Sequence, residues 1–197
     1  MTEYYEARAG EYDATTYALA RRDPVQALHL AGLEEMVAGL APGRTLDVGC
    51  GTGWLTRFLR GSVVALDPSE SMLRLARERN PDALFVRATA PPLPFLERSF
   101  DRVFTSHLYG HLEDEGVREV FVEEALRVAD ELVVVEQAWA PGVEPEGREE
   151  RRLEDGSVHS VYKRYFSPAA LADELGGDVL LDTPSFIAVL ARRTGAR

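Results

Sequence analysis

Asp47 sits inside the apolar run Leu46-Asp47-Val48, and Gly49-Cys50-Gly51-Thr52-Gly53 follows at once. Alternating glycines suit a turn in which a ligand lies flat against main chain, because no Cβ intrudes and because such a turn needs φ values that other residues avoid. Asp67, 18 residues after Gly49, ends the next apolar run, Val63-Val64-Ala65-Leu66. An acid at the tip of the second strand of a nucleotide-binding α/β unit accepts hydrogen bonds from ribose hydroxyls, and a spacing of about 20 residues is usual. Together these residues read as a cofactor cradle. Further on, His107, Tyr109 and His111 fall in a segment that follows the run Asp101 to Ser106. Imidazole titrates near neutral pH, so either histidine can serve as a general base.

The residue after the third glycine narrows the cofactor. A dinucleotide fingerprint reads G-x-G-x-x-G, and its last glycine is here Trp54. An indole in that slot disfavours NAD and FAD, and no Gly-Lys-Ser/Thr follows to make a P-loop. An acid followed by G-x-G-x-G resembles motif I of the class I S-adenosylmethionine (SAM) dependent methyltransferases, and Asp67 resembles their motif II. The run Ala88-Thr89-Ala90-Pro91-Pro92-Leu93-Pro94-Phe95, with Ser99-Phe100-Asp101 after it, is similar to their adenine-binding motif, except that Thr89 stands where the family usually has Asp. The segment Tyr-Glu-Ala-Arg-Ala-Gly-Glu-Tyr-Asp at 5 to 13 is similar to an aromatic arm that closes over the cofactor in that family.

This resemblance spans about residues 5 to 193. It implies SAM as cofactor, S-adenosylhomocysteine (SAH) as product, and contacts from Tyr12, Asp47, Gly49, Cys50, Gly51, Gly53, Trp54, Asp67, Pro68, Met72, Ala88, Thr89, Ala90 and Ser106. Tyr17 joins Tyr12 as an arm residue facing the site. His107 and Tyr109 are the residues to face substrate; His111 shares their segment, at a position where family members often carry a histidine that caps the next helix. Cys50 fills the loop as a small side chain and is not a nucleophile. No metal is expected. Two other readings stay open: a non-catalytic SAM-binding regulator, and a nucleotide-dependent oxidoreductase.

The elements that must position these residues follow from periodicity and punctuation. Asp23-Pro24 starts a helix with Asp as N-cap, Pro at the first helical position and Gln26 placed for a capping box; Leu33, Met36, Val37 and Leu40 give its apolar spacing, and Ala41-Pro42-Gly43 stops it. Trp54, Leu55, Phe58 and Leu59 predict a helix directly after the glycine loop. Val63 to Leu66 and Leu132 to Val135 are continuous apolar runs, suited to parallel strands buried on both faces. Ser69 caps a helix through Met72, Leu73 and Ala76, and a third strand covers about 83 to 87. Val117, Val120, Phe121, Ala125 and Val128 predict the buried stripe of the next helix. A Pro/Gly linker at 140 to 147 leads into a β-hairpin turning at Asp155-Gly156, and Ser167-Pro168 begins a last helix stopped by Gly176-Gly177. Strands near 179 to 181 and 186 to 191 complete a doubly wound α/β sheet in a single domain. The resemblance implies seven strands, mostly parallel, with the last antiparallel, and a lid or hairpin insertion at 138 to 166, where Trp139, Tyr162, Tyr165 and Phe166 suggest a partly aromatic pocket.

The chain has 197 residues, 45% of them hydrophobic, and a formal charge of −11. That length buries a substantial single core. Of its 22 basic residues all but Lys163 are arginine. An acidic surface repels phosphate backbones, and the one local group, Arg148, Arg151 and Arg152, is diluted by Glu149, Glu150 and Glu154, so a small-molecule substrate is expected and nucleic acid is not. A lone cysteine excludes an internal disulfide and suits a reducing compartment. The acidic, aromatic N-terminus reads as neither signal nor transit peptide, and the apolar runs are too short to span a bilayer. A soluble cytoplasmic protein is the expectation, with the oligomeric state open.

Overall fold

The computed structural model describes residues 2–193. Three short helices, α1 (Thr2–Arg8), α2 (Tyr12–Thr15) and α3 (Tyr17–Ala20), form an N-terminal arm. Helix α4 (Pro24–Gly39) is capped by the Asp23 carboxylate, which accepts from the amides of Val25 and Gln26. Gln26 does not close a capping box; its Oε1 accepts from Ser185 Oγ at 2.8 Å instead. Then come β1 (Gly43–Val48), β2 (Gly61–Asp67), α5 (Glu70–Arg79), β3 (Leu84–Arg87), β4 (Arg102–Ser106), α6 (Glu115–Val128), β5 (Glu131–Gln137), β6 (Glu146–Arg152), β7 (Val158–Arg164), α7 (Pro168–Leu175), β8 (Asp178–Asp182) and β9 (Phe186–Arg192).

Seven strands form one sheet in the order β3-β2-β1-β4-β5-β9-β8. Pairings among β1 to β5 are parallel, and β9 runs antiparallel to both β5 and β8. The expected architecture is therefore present, including the antiparallel last strand. The central strands are apolar without alternation because both faces are covered. Leu132 and Val134 of β5 pack with Phe121, Ala125, Val128 and Leu171 on one side. Val133 and Val135 pack with Leu33 and Val37 of α4 and with Ala188 and Leu190 on the other.

Two helical expectations are corrected. After the glycine loop there is only a 3-10 turn, Thr56–Phe58, because β2 begins at Gly61 and leaves no room for a longer helix. Leu55 and Leu59 are nonetheless buried. In α6 the inner face is Arg118, Phe121, Ala125 and Val128, whereas Val117 and Val120 are exposed. Arg118 takes the inner position because its guanidinium donates to Leu112 O at 2.9 Å and pairs with Glu174 at 2.9 Å.

Strands β6 and β7 form a separate antiparallel hairpin. Its Leu153 and Val161 bury themselves against Tyr4 of the arm, and the Glu154 amide donates to Glu11 at 2.9 Å. Arm and hairpin thus lie together. Among the described residues no helix is long and apolar enough to cross a membrane.

Candidate functional site

Register builds the site. Val48 of β1 pairs with Leu66 of β2 on one side and with Thr105 of β4 on the other, so the next residues, Gly49, Asp67 and Ser106, leave the sheet at one level. This is the C-terminal edge between β1 and β4, where the strand order reverses and ligands of open α/β sheets bind. The amides of Gly49 and Cys50 both donate to Leu66 O, at 2.7 and 3.1 Å. The Gly51 amide donates to Asp67 Oδ2 at 3.0 Å, and that of Ser69 to Asp67 Oδ1 at 2.8 Å. Burial pushes the Asp67 carboxyl above the usual range, and these two amides work against it.

The glycines divide their work. At Gly53, with φ +71°, a Cβ would lie 2.4 Å from Asn80 Nδ2 and 3.1 Å from the Ala76 backbone, so this glycine is needed for packing on α5. A Cβ on Gly51, with φ +54°, would meet nothing within 4 Å; it would project into the space a ligand requires. Asp47 lies beneath the loop, 2% exposed, and accepts from Thr56 Oγ1 at 2.6 Å. Burial pushes its carboxyl up to about 7. Ser106 Oγ, buried at the same place, has no hydrogen-bond partner among the described residues.

Three cavities meet here. One, about 70 Å³, lies along Gly49, Gly51, Asp67, Pro68, Met72, Ser106 and Leu108. A second, about 30 Å³, lies under the loop against Asp47, Cys50, Phe104, Tyr17 and Ser106. The third and largest, about 280 Å³, opens between the arm and the hairpin. Tyr5, Tyr12, His107 and His111 line both the first and the third, and Tyr12 lines all three. The arm that supplies the tyrosines is tied down by Glu6, whose carboxylate accepts from the hydroxyls of Ser69 and Ser71 at 2.5 and 2.6 Å. Asp13 accepts from Thr52 Oγ1 at 2.6 Å and pairs with Arg79.

His107 holds φ +58°, a left-handed conformation uncommon outside glycine, asparagine, aspartate and histidine. His111 lies between two partners: Nδ1 is 2.6 Å from Tyr162 O and Nε2 is 2.9 Å from Tyr5 Oη. A carbonyl only accepts, so Nδ1 carries the proton and Nε2 accepts from the tyrosine. Burial depresses both imidazoles to about 4, with Glu136 opposing the shift at His107 and Lys163 adding to it at His111. Both are therefore neutral at pH 7. Beneath them Glu136 and Lys163, 0% and 4% exposed, pair at 2.8 Å, and Glu136 also accepts from the Gly110 amide at 2.8 Å. Burial works to raise the Glu136 carboxyl, but Lys163, His107 and the Gly110 amide outweigh it and hold the group below its usual range.

Most of the residues named from sequence converge on this cleft: Tyr12, Tyr17, Asp47, Gly49, Cys50, Gly51, Asp67, Pro68, Met72, Ser106, His107 and His111. Others do not. Tyr109 is 1% exposed in the core, and its hydroxyl donates to Glu174 at 2.9 Å, so it faces away from the cavities. Trp54 stacks on Tyr17 with ring centroids 4.5 Å apart and has Arg57 4.0 Å over its face, outside the loop. Thr89 is exposed, while Ala88 and Ala90 pack on the core. His111 does not cap α6; Asp114 does. Of the four aromatics of the insertion, Phe166 is core and Trp139 is exposed. Tyr5, Arg8, Gln137, Arg151 and Lys163 join the cleft without having been singled out for it. One signal in the sequence points toward them: Lys163 is the only lysine.

A family model described as a methyltransferase domain matches residues 45–131. The chain is 39% identical over 79 residues to a malonyl-[acyl-carrier protein] O-methyltransferase of Erwinia pyrifoliae, covering 37% of this chain and 30% of that protein. It is 40% identical over 104 residues to a dTDP-3-amino-3,6-dideoxy-alpha-D-glucopyranose N,N-dimethyltransferase of Streptomyces fradiae, covering 49% and 40%. The chain thus spans well under two thirds of those relatives. Over its whole length it is similar to solved structures of DhpI: a complex with SAH at 29% identity and TM-score 0.75, covering 100% of this chain and 96% of that one, and a complex with SAM and HEP at 28% and 0.75, covering 97% and 95%. A SAM-dependent methyltransferase from Aquifex aeolicus, at 20% identity and TM-score 0.62, shares the fold. With the glycine loop, the Asp67 strand tip and the antiparallel last strand in the same frame, residues 45–131 match a methyltransferase domain and the whole chain has the fold of the class I SAM-dependent methyltransferases.

Proposed function

We propose that the protein transfers a methyl group from SAM to a small-molecule acceptor. The observation that carries this reading is the junction of two cavities, one along the glycine loop and Asp67 and one between arm and hairpin, across Tyr5, Tyr12, His107 and His111. A donor held on one side of that wall presents its reactive group to an acceptor on the other.

The residues present suit SAM. Asp67 keeps lone pairs beyond those used by Gly51 and Ser69 and is the partner for the ribose hydroxyls. Pro68, Met72 and Leu108 give an apolar wall for the base, and Asp47 with the unpartnered Ser106 hydroxyl suits the polar amino-acid end. A bound ammonium near Asp47 would draw its carboxyl back toward the ionised form. SAM supplies a sulfonium methyl that an acceptor lone pair displaces, so the chain's own contribution is alignment and exclusion of water.

Cavities of about 70 and 30 Å³ are far below the ~300–1,000 Å³ of ligand sites. Entry therefore requires the arm to swing out, releasing Glu6 from Ser69 and Ser71 and Tyr5 from His111. Release of Tyr5 frees His111 Nε2 as an acceptor, with its tautomer held by Tyr162 O. The segment 138 to 166 acts as a lid on the acceptor side, and the lone, half-buried Cys50 accords with a reducing cytoplasm.

The test is calorimetry with SAH and NAD, followed by a screen of small metabolites for SAH release from SAM. Binding of SAH alone and release dependent on a metabolite support the reading. Failure of SAH to bind ends it.

A further inference from the structure

The acceptor cavity has a composition at odds with the whole chain. The protein carries a charge of −11, yet the cavity between arm and hairpin is lined by Arg8, Arg151 and Lys163 and by no aspartate or glutamate. Two of these cations are already matched from behind the wall: Lys163 by Glu136 at 2.8 Å and Arg151 by Glu149. Arg8 differs. Its Nη1 donates to Tyr4 Oη at 2.8 Å and its Nη2 to Thr15 and Thr16 Oγ1 at 3.2 Å each. Its guanidinium carbon lies 4.7 Å from the Tyr12 ring centroid. Every one of those partners is neutral, and Arg8 makes no ion pair among the described residues. A partly buried guanidinium held in place by hydroxyls and a ring, with no carboxylate to balance it, is oriented for an anion that comes from elsewhere. The rest of the lining agrees. Gln26 and Gln137 offer amide donors, and the two histidines are neutral, so no bound cation would find a counter-charge in the wall.

Resting on the methyl-transfer reading, we infer that the acceptor is a small molecule carrying an anionic group, a carboxylate or a phosphoryl oxyanion, and that Arg8 is the residue that anchors it. Tyr4, Tyr5, Tyr12 and Phe186 provide room for an apolar or aromatic body beside that anchor. Because Arg8 lies on the arm that also covers the cofactor cleft, binding of the anion draws the arm closed over both. The acceptor then arrives second and completes its own enclosure.

The experiment uses full-length protein saturated with SAH and four probes in calorimetric titration: benzoate and phenyl phosphate, with benzamide and benzyl alcohol as neutral counterparts. Charge-assisted bonds to a guanidinium place the acids about tenfold or more tighter than their neutral counterparts. Arg8→Gln removes that preference, Arg8→Lys retains part of it, and raising the salt concentration weakens the acids and leaves the neutral probes unchanged. The tighter of the two acids identifies the carboxylate or the phosphoryl source. If Arg8→Gln loses its cooperative melting transition, the salt series on wild type and Arg151→Gln decide. Neutral probes as tight as the acids, acids that do not bind, or acid affinity unchanged in Arg8→Gln overturn the inference. SAH binding without acid binding removes the inference and leaves methyl transfer standing; acid binding to a protein that does not bind SAH removes methyl transfer, and the acceptor inference with it, and leaves only an anion site at Arg8.

Discussion

Asp67 is the residue on which the cleft along the glycine loop depends most directly. One carboxylate oxygen holds the Gly51 amide and the other the Ser69 amide, so a single side chain both shapes the glycine loop and offers the remaining lone pairs to a ligand. Replacing it by Asn keeps the shape but turns one acceptor into a donor aimed at another N–H. Hydrogen bonds to a charged group contribute about 1.5–3 kcal/mol each, so Asp67→Asn should raise the SAH dissociation constant about tenfold or more. Titration calorimetry checks this, and unchanged affinity would remove Asp67 from the site. Tyr109 shows the opposite case. Its sequence neighbours His107 and His111 both reach the cleft, but the 3-10 turn at Tyr109–His111 points the tyrosine into the core, where Glu174 takes its hydroxyl.

Among the elements, the β6–β7 hairpin and the arm act as one cover. Leu153 and Val161 are buried only against Tyr4, apart from the two main cores. Excision of residues 148 to 160, with a short glycine bridge from Gly147 to Val161, removes Arg151 and Leu153 but keeps Lys163 on Glu136 and Phe166 in the core. The shortened protein should still melt cooperatively and bind SAH while losing methyl transfer. Circular dichroism melts and calorimetry read this out. A lost transition would show that the hairpin belongs to the folding unit. By contrast, Lys163 itself is not expendable, because an unpaired Glu136 would be left fully buried.

Across the whole molecule, buried titratable groups under the cleft set opposing pH dependences. The Asp47 carboxyl is raised to about 7 by burial, so between the ordinary carboxylate range and pH 7 the folded chain binds the proton that the unfolded chain has released. Its effect on stability worsens as pH rises through that window and is level above it. His107 and His111 are lowered to about 4, so the unfolded chain takes up their protons first, and stability falls as pH drops from about 6.5 toward 4. Asp47→Asn keeps an acceptor for Thr56 and abolishes the first effect. Its melting temperature relative to wild type should be higher at pH 8 than at pH 5 by something on the order of 5 °C, given about 1.4 kcal/mol per pKa unit and ~2–4 °C per kcal/mol. Melting curves at the two pH values test it, and a pH-independent difference would mean that Asp47 is not the titrating group.

The chain's local chemistry was enough to determine the cradle. Gly49, Gly51 and Gly53 after an apolar strand, and Asp67 at the end of the next, are short-range features whose φ angles and strand-tip position depend on few distant residues. Continuous apolar runs likewise determined which strands lie in the middle of the sheet. What the tertiary structure alone decided is how segments far apart in sequence face one another. The helix expected after the glycine loop shrank to a 3-10 turn because β2 starts at Gly61. Val117 gave its inner position to Arg118 because Glu174, 56 residues away, waits there. Above all, the cavity between arm and hairpin joins Arg8, His107 and Lys163 from three separate segments. No periodicity records such a meeting, because it follows from the order and register in which seven strands stack, and from an arm that finds its place only once the sheet edge exists.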